Sequence, residues 1–360
     1  MKIALGFEII NSSWGGGNQF ANSLYKEANN RGIKITNSLN DKDIDLILLT
    51  DPRYFNKGVA FGSLDILKYL IFKNRNAIVV HRINECDERK NTKHINMFLR
   101  WANYCADHTI FISSWLRTLN VYQKNKPYSI ILNGGDQENF NDSKNKIWDS
   151  KEPLKIVTHH WSPNKMKGFD IYKKLDELIS QDEWRGKVEF TYIGNLPKGF
   201  KFQKTKHLKP ISGKELGIEI SKHHVYLSAS INEPAGMHHI EGALCGLPII
   251  YRESGALPEY CMNYGISFEN SNYLSALNEM FLKYSELKRK IYFYPFTSKK
   301  MTDEYLTLFS KLVCKRAEII KNRNLFKNPC LLIKNFLFLF LQLKNVVKFL
   351  NITFLNRIFK

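Results

Sequence analysis

Two acidic side chains, Glu233 and Glu241, are the residues whose type and spacing point most directly to chemistry. Seven residues separate them, within the stretch 228–259 (SASINEPAGMHHIEGALCGLPIIYRESGALPE). Carboxylates suit the hydroxyl groups of a sugar or a ribose, because charge-assisted hydrogen bonds are short and strong. The pair could therefore hold one ligand that offers hydroxyl groups in two places.

The local sequence predicts where these carboxylates lie. Pro234 suits the first turn of a helix, so we expect a helix to begin there. Glu233 would then lie in the loop after the predicted strand 224–229, at the carboxyl end of that strand, where open α/β sheets bind ligands. Met237 and Glu241 are four residues apart and would share one face of the helix. Glu241 is thus expected to look into the same cleft as Glu233.

The start of this helix also predicts a site for an anion. The free backbone amides of Ala235, Gly236 and Met237 would attract a phosphate group, because a helix N-terminus carries unpaired N–H groups and a partial positive charge. One carboxylate beside a reacting sugar, amides for phosphate and a second carboxylate for ribose hydroxyls together predict a nucleotide-sugar site.

The chain around these residues alternates short apolar runs with helical patterns. The predicted strands are 2–10, 44–50, 77–81, 108–113, 128–132, 154–159, 187–193, 224–229 and 248–251, and the predicted helices include 18–31, 64–72, 92–104, 168–180, 214–221 and 235–245. Strands that are apolar almost throughout are typical of a parallel sheet covered on both faces. A polar stretch at 136–152 separates two such series, so we expect two doubly wound α/β domains.

The stretch 228–259 resembles the Glu-x7-Glu signature of the family 4 retaining glycosyltransferases, also known as group 1 glycosyltransferases. The pattern continues beyond the second glutamate with Gly246, Pro248, Gly255, Pro258 and Glu259. The resemblance implies the α/β GT-B architecture, in which two Rossmann-like, doubly wound parallel-sheet domains face each other across a cleft. It also implies transfer of a sugar from a nucleotide-sugar donor to an acceptor hydroxyl, with retention of the anomeric configuration.

This architecture gives an expected division of the chain. Residues 1–150 would form an N-terminal, acceptor-side domain, and residues 151–295 a C-terminal domain that binds the nucleotide sugar. Residues 296–324 would form a helix that crosses back to the N-terminal domain. Residues 325–360 would be a basic hydrophobic tail.

The resemblance assigns catalytic roles to Glu233 and to Lys167, which precedes Gly168 in THHWSPNKMKGFD. Lys167 would contact the donor diphosphate and stabilise the charge that builds on the departing phosphate. The family usually has an arginine five residues before this lysine, whereas this chain has Ser162. Lys165 could supply the missing charge. The departure keeps a non-catalytic nucleotide-sugar-binding protein of the same fold open as an alternative.

Four further residues take roles by position in the family pattern. Gly16 and Gly17 resemble its first loop, which approaches donor phosphates or the acceptor. His81 stands at the end of a predicted strand, where family members often carry a histidine near the reacting sugar, and so becomes a third catalytic candidate. Asn195 resembles the loop beside the nucleotide base.

The net charge suggests the other alternative, a basic nucleic-acid-binding protein. The chain has 53 basic and 34 acidic residues, a formal charge of +19, which attracts polyanions. This charge is spread along the chain without a recognised nucleic-acid motif, so we expect no specific nucleic acid as partner. The sequence also has no HExxH or aspartate-rich motif, and we expect no metal and no cofactor beyond the donor substrate.

The C-terminal region combines apolar and basic residues. Residues 331–342 are very apolar but are interrupted by Lys334 and Asn335, and a bilayer span needs about 20 apolar residues. We expect 325–360 to lie on an anionic membrane surface, the alternative being a helix packed on the protein body. With no signal peptide pattern, the predicted location is cytoplasmic and peripheral on the inner face of a membrane. The acceptor would then be a lipid-linked or surface glycan.

Overall fold

The computed structural model of the chain describes residues 1–9, 15–53, 56 and 58–337. Its N-terminal part is a six-stranded parallel sheet with the strand order β2-β1-β3-β4-β5-β6. The strands are β1 (Lys2–Leu5), β2 (Lys34–Thr36), β3 (Leu46–Leu49), β4 (Ile78–Ile83), β5 (His108–Phe111) and β6 (Tyr128–Ile130). The central strands β3, β4 and β5 are buried along their whole length, as their apolar sequences predict.

A second six-stranded parallel sheet follows, with the order β12-β11-β10-β7-β8-β9. The strands are β7 (Leu154–His160), β8 (Val188–Gly194), β9 (Lys206–Leu208), β10 (Val225–Ser228), β11 (Ile249–Arg252) and β12 (Gly265–Phe268). In each sheet, later strands are added on both sides of the first strand, β1 or β7, as in doubly wound folds. The carboxyl ends of β7 and β10 therefore carry the loops of the site.

Helices connect the strands in both halves of the chain. They are α1 (Gly15–Asn30), α2 (Ser63–Phe72), α3 (Ile95–Ala102), α4 (Ser114–Thr118), α5 (Phe169–Leu178), α6 (Gly213–Ile220), α7 (Met237–Leu244), α8 (Leu257–Cys261), α9 (Tyr273–Ile291), α10 (Ser298–Cys314) and α11 (Arg316–Asn322). In α1 the buried residues Phe20, Leu24 and Ala28 recur every four positions and face the sheet. These elements confirm the predicted alternation of strands and helices.

One predicted boundary that matters for the site is wrong. The helix expected to begin at Pro234 begins at Met237, because Gly236 is extended, with φ −69° and ψ 144°. The carbonyl of Ala235 accepts a hydrogen bond from Asn133 Nδ2 at 3.2 Å instead of joining a helical turn. Residues 233–236 therefore form a loop, which leaves Glu233 well ahead of the first helical residue.

Helix α10 packs on the N-terminal sheet although it follows the C-terminal one in sequence. Its buried residues join a core with Ile3, Leu5 and Phe20; they are Met301, Tyr305, Leu306, Phe309 and Leu312. The last part of the described chain thus returns to the first domain and ties the two halves together.

The junction between the two domains is closely packed. Tyr260 Oη donates a hydrogen bond to the carbonyl of Ile112 and accepts one from the amide of Asn133, both at 2.7 Å. A Cβ atom on Gly134 would lie 2.0 Å from the carbonyl oxygen of Thr297. Only glycine allows this approach of the chain before α10 to the end of the N-terminal domain.

The predicted tail falls partly outside the described residues, since 338–360 are not among them. In the described part, Asn335 is buried, accepts from Ser63 Oγ at 2.9 Å and donates to the carbonyl of Trp101 at 3.0 Å. Residues 329–337 are helical and thus contact the N-terminal domain through this asparagine. Within the described ranges, every helix is too short or too polar to cross a bilayer.

The packing of α10 gives a stability prediction. Phe309→Ala removes a fully buried ring and should lower the free energy of unfolding by about 3–5 kcal/mol. Thr307→Ala, at an exposed position of the same helix, should change it by less than about 0.5 kcal/mol. Urea unfolding followed by circular dichroism measures both. Equal small losses in the two variants would show that α10 does not contribute to the core.

Candidate functional site

A cleft of about 570 Å³ lies between the two domains. Its N-terminal wall includes the start of α1 and the loop after β4, and its C-terminal wall includes the ends of β7 and β8 and the starts of α6 and α7. Residues of the Glu-x7-Glu stretch, Gly236, Met237, His238 and Glu241, line this cleft. The structure thus brings Glu241 of the signature to the space that the sequence predicts for a ligand, whereas Glu233 is not among the residues that line it.

Glu233 is almost completely buried beside this cleft, with 1% of its side chain exposed. Its carboxylate forms an ion pair with Lys167 Nζ through Oε2, and Oε1 lies 3.5 Å from Arg89 Nε. Burial alone would raise the pKa of Glu233, but the positive charges of Lys167 and Arg89 outweigh it and lower the pKa to about 2. The carboxylate is therefore ionised at neutral pH.

Two glycines let the loops around Glu233 come together. Gly168 has φ +94°, and a Cβ atom there would lie 2.3 Å from the carbonyl oxygen of Ala229. Gly255 has φ +62°, and its Cβ would lie 2.5 Å from the amide nitrogen of Glu233. A residue with a side chain at either position would have a strained backbone conformation, and its Cβ would push the loops apart. Both glycines therefore help to set the distance between Lys167 and Glu233.

Glu241 lies in the second turn of α7 and is also buried, with 3% of the residue exposed. Its Oε2 lies 2.7 Å from His159 Nε2, and its Oε1 accepts a hydrogen bond from Gln19 Nε2 at 3.0 Å. His159 comes from β7 and Gln19 from α1, so this carboxylate contacts both domains. An ionised carboxylate has about four acceptor positions, which leaves capacity for further hydroxyl groups.

The start of α7 only partly matches the predicted phosphate site. Gly236 and Met237 line the cleft. Gly236 is the N-cap residue of α7, and no N-cap side chain accepts a hydrogen bond from the first amides of the helix. Ala235 is buried in the core instead, with 7% exposure. A Cβ on Gly236 would lie 2.5 Å from the His238 ring and 3.0 Å from Glu233 Cδ. Two of the three predicted residues, Gly236 and Met237, therefore line the cleft.

Three buried histidines surround the carboxylates. Burial lowers the pKa of His160 and His238 well below the usual value, and that of His239 to about 3. His238 Nε2 lies 2.8 Å from Ser228 Oγ, and His160 Nε2 lies 2.7 Å from Tyr172 Oη. These rings are neutral polar groups at pH 7. In the described part of the chain, no group of three or more His, Cys, Asp or Glu side chains is arranged to hold a metal ion.

The other predicted donor contacts divide between the cleft and its surroundings. Gly16 lines the cleft, and a Cβ there would lie 2.9 Å from Met237 Cγ. Gly17 faces Phe7 and Lys165 is exposed; neither lines the cleft. Asn195 also lies outside the lining, although the preceding Gly194 is part of it. The Asn195 amide is used in a hydrogen bond of 2.7 Å to the carbonyl of Trp161.

His81 is not brought to the cleft. The sequence predicted a strand that ends at this residue, but β4 continues to Ile83, and His81 pairs with Thr109 inside the sheet. The side chain is fully buried, and its Nδ1 lies 3.2 Å from Asn103 Nδ2. Burial lowers its pKa to about 3. In this position the imidazole has no direct path to a ligand in the cleft.

Two residues of the site were not identified from the sequence. Arg89 and Gln19 both lie in the N-terminal domain and both reach a signature glutamate of the other domain. No local pattern marks them, because Arg89 is 144 positions from Glu233 and Gln19 is 222 positions from Glu241. The absence of the usual arginine at Ser162 was the one signal that another cation was needed.

Comparison with known proteins supports the fold. No family model and no curated protein sequence matches the chain. Solved structures do: HepE from Anabaena in complex with UDP matches with a TM-score of 0.62 and 13% identity over 86% of this chain and 100% of that chain. Sucrose-phosphate synthase from Thermosynechococcus elongatus matches with a TM-score of 0.59 and 14% identity over 87% and 99%.

A glycosyltransferase from Rickettsia africae gives a similar match, with a TM-score of 0.57 and 14% identity over 89% of this chain and 98% of that chain. The chain therefore has the GT-B fold, with two Rossmann-like domains built on parallel sheets. This confirms the fold class that the sequence predicted.

The burial of Glu233 gives a pH-dependent stability prediction. Glu233→Gln should lower the free energy of unfolding at pH 7 by about 3–5 kcal/mol, because two cations lose their buried partner. The folded-state pKa of about 2 lies below the ordinary value of 4.5, so the stabilisation is complete above pH 4.5 and is lost as the pH falls toward 2. The difference between the two proteins should therefore shrink below about pH 4.5.

Urea unfolding at a series of pH values measures this difference. Glu189→Gln is the matched control, because Glu189 is exposed in the same domain, and it should stay within about 0.5 kcal/mol of the wild type throughout. A Glu233→Gln variant as stable as the control at pH 7 would contradict the buried ion pair.

Proposed function

We propose that this chain is a glycosyltransferase that moves a sugar from a nucleotide-sugar donor to an acceptor hydroxyl. The observation that carries the proposal is the ion pair of Glu233 and Lys167 beside the cleft between two Rossmann-like domains. The pair puts the Glu233 carboxylate, which can bind sugar hydroxyls, next to the Lys167 ammonium, which can bind phosphate. The sugar and the phosphate are the two sides of the bond that breaks. HepE, which has the same fold, was solved with UDP-glucose, and this supports the proposal.

In the proposed reaction an acceptor hydroxyl replaces the nucleoside diphosphate at the anomeric carbon. The bond from that carbon to the phosphate oxygen breaks, a bond to the acceptor oxygen forms, and the acceptor's hydroxyl proton leaves with the departing diphosphate. Lys167 and the amides of Gly236 and Met237 would stabilise the negative charge that develops on the departing phosphate. Glu233 would hold the hydroxyls of the transferred sugar, and Glu241 those of the ribose.

The finer parts of the proposal rest on the resemblance to family 4. They are retention of the anomeric configuration, activity without a metal ion, and the lack of a cofactor other than the donor. His160 and His238, which line the cleft, would take part only as uncharged hydrogen-bonding groups. The proposed catalytic groups are Glu233 and Lys167. His81 is buried inside β4 and would contribute only by holding that strand in place.

The replacement of the usual arginine by Ser162 favours one alternative, a nucleotide-sugar-binding protein that does not turn its ligand over. Such a protein would keep the grip of Glu241 and of the α7 amides, but would stabilise the departing phosphate too weakly for catalysis. Measured turnover separates the two functions. A nucleic-acid-binding role finds support only in the charge of +19.

The acceptor and the location belong to the same proposal. The C-terminal region from residue 325 is rich in Leu, Phe and Lys, and residues 329–337 contact the N-terminal domain, the acceptor-side domain of the proposal. A basic apolar segment there would hold the protein against an anionic membrane on its cytoplasmic face. A lipid-linked or surface glycan would then be the acceptor.

The role of Glu233 is tested by turnover. A thermal-shift screen with UDP, GDP, ADP and their sugars first identifies the donor, because a ligand of the folded state raises the melting temperature. Release of the nucleoside diphosphate from that donor is then measured. Glu233→Gln should lower kcat by about 100-fold or more, while Glu189→Gln should match the wild type. Equal rates in wild type and Glu233→Gln would remove the proposed role.

Attachment to a membrane is tested by sedimentation with vesicles. The full chain should pellet with vesicles that contain phosphatidylglycerol and much less with vesicles of phosphatidylcholine alone, because basic residues near the surface are attracted by anionic lipid. Deletion of residues 338–360 should abolish the pelleting and leave donor binding intact. If the shortened chain still pellets with anionic vesicles, residues 338–360 are not the anchor.

A further inference from the structure

The cleft takes its cations from both domains. Three basic side chains line it among the described residues. Lys167 comes from the C-terminal wall, whereas Arg89 and Lys90 come from the loop after β4 in the N-terminal domain. Ser162 lines the C-terminal wall, and Lys165 is exposed outside the cleft. The C-terminal domain thus supplies a single cation to the described cleft.

A single ammonium group is a poor match for the diphosphate of a nucleotide sugar. Both of its phosphate groups are ionised at neutral pH, and their negative charge is spread over several oxygens that each accept hydrogen bonds. A guanidinium group presents a planar fork of N–H donors that can bind two phosphate oxygens at once, whereas an ammonium acts as a point charge. An arginine beside Lys167 would complete the match.

Arg89 is placed to be that arginine. Its Nε lies 3.5 Å from Glu233 Oε1, on the carboxylate whose other oxygen pairs with Lys167. The two cations therefore flank one carboxylate. Neither Arg89 Nε nor Glu233 Oε1 makes a hydrogen bond within the described residues, although both atoms are buried. Arg89, which lines the cleft, thus keeps an unused N–H donor beside Glu233.

The other contacts of Arg89 hold it in this position. Its Nη1 donates to Glu85 Oε2 at 3.2 Å, and Lys90 Nζ donates to the same oxygen at 3.1 Å. Glu85 is 8% exposed and precedes both basic residues in the loop after β4. The loop is therefore fixed by its own carboxylate, and 29% of the Arg89 side chain remains exposed for a ligand.

We propose that Arg89 of the N-terminal domain and Lys167 of the C-terminal domain together bind the donor diphosphate. Arg89 takes the role that the C-terminal arginine has in the resembling family and that Ser162 cannot perform. This inference rests on the proposed function and adds the residue that completes the phosphate site. In the absence of donor, Glu233 pairs with both cations. A bound diphosphate would accept from Arg89 and leave Glu233 to the hydroxyls of the transferred sugar.

The donor would contact both walls through its phosphates, so donor affinity would depend on how the domains are held relative to each other. A clamp built within one domain would not have this dependence.

Calorimetric titration with UDP, GDP, ADP and the matching monophosphates tests the inference. For the nucleotide that binds, the readout is the ratio of the diphosphate affinity to the monophosphate affinity. Arg89→Gln should weaken diphosphate binding by about tenfold or more, because a charged hydrogen bond is lost, and should lower the ratio. Lys93→Gln is the matched control, since Lys93 is an exposed cation of the same loop, and should keep the wild-type ratio.

A rescue variant separates a phosphate contact from a merely structural one. Adding Ser162→Arg to Arg89→Gln restores a guanidinium to the opposite wall and should recover most of the lost diphosphate affinity. Arg89→Lys, which keeps the charge but not the fork, should give an intermediate ratio and serves if Arg89→Gln does not fold. Circular dichroism and the melting temperature without ligand monitor the fold of each variant.

The outcomes distinguish this inference from the proposed function. If the wild type binds a nucleoside diphosphate and Arg89→Gln keeps the same ratio, Arg89 is not part of the phosphate site, whether or not it contacts an acceptor. If Ser162→Arg fails to recover affinity in a folded Arg89→Gln variant, the inference is likewise overturned. If no nucleoside diphosphate binds the wild type, the proposed function itself fails.

Discussion

The site depends on an ionised carboxylate that is almost completely withdrawn from water. An isolated charge in that position would cost several kcal/mol, so Glu233 requires cations at contact distance. Lys167 supplies one from the turn before α5, and Arg89 supplies another from the opposite domain. The loops can meet in this way because Gly168 and Gly255 adopt left-handed backbone conformations against neighbouring main chain. The backbone around the cleft is thus fitted to one buried group of charges.

The second glutamate, Glu241, is likewise a buried carboxylate held by side chains from both domains. Glu241 is bound by His159 of its own domain and by Gln19 of α1, so both signature carboxylates contact both domains. The separation of seven residues places one in the loop before α7 and the other in the second turn of that helix. Between them, the α7 N-terminus presents backbone at Gly236 and Met237. Two carboxylates with amides between them make a surface that suits an elongated ligand with hydroxyls at its ends and phosphate in the middle.

Much of the fold could be predicted from the sequence because it is encoded locally. Apolar runs such as 44–50 and 154–159 correspond to buried strands, and the polar stretch at 136–152 separates the two sheets. Short edge strands such as β2 and β9, three residues each and only half-buried or exposed, lack an apolar run and were not predicted. The start of α7 was misplaced because a proline was weighed without knowledge of the hydrogen bond between Ala235 and Asn133.

The site was less predictable than the fold because its contacts join distant parts of the chain. The signature predicted Glu233, Glu241 and, with the family pattern, Lys167; the structure places Glu241 and Lys167 in the cleft lining and Glu233 in contact with Lys167. His81 was misjudged, since the length of β4 decides whether it reaches the strand end. Arg89 carries no local mark, and only the Ser162 departure hinted that its charge is needed. Long-range charge compensation of this kind becomes visible only in three dimensions.

A crystal structure with a non-hydrolysable nucleotide-sugar analogue shows whether Glu233 and Lys167 hold the two sides of one scissile bond. We expect a sugar hydroxyl within hydrogen-bond distance of the Glu233 carboxylate, the diphosphate at Lys167 Nζ, and the ribose at Glu241. An analogue bound elsewhere on the molecule, or bound in the cleft with its sugar directed away from Glu233, would contradict it.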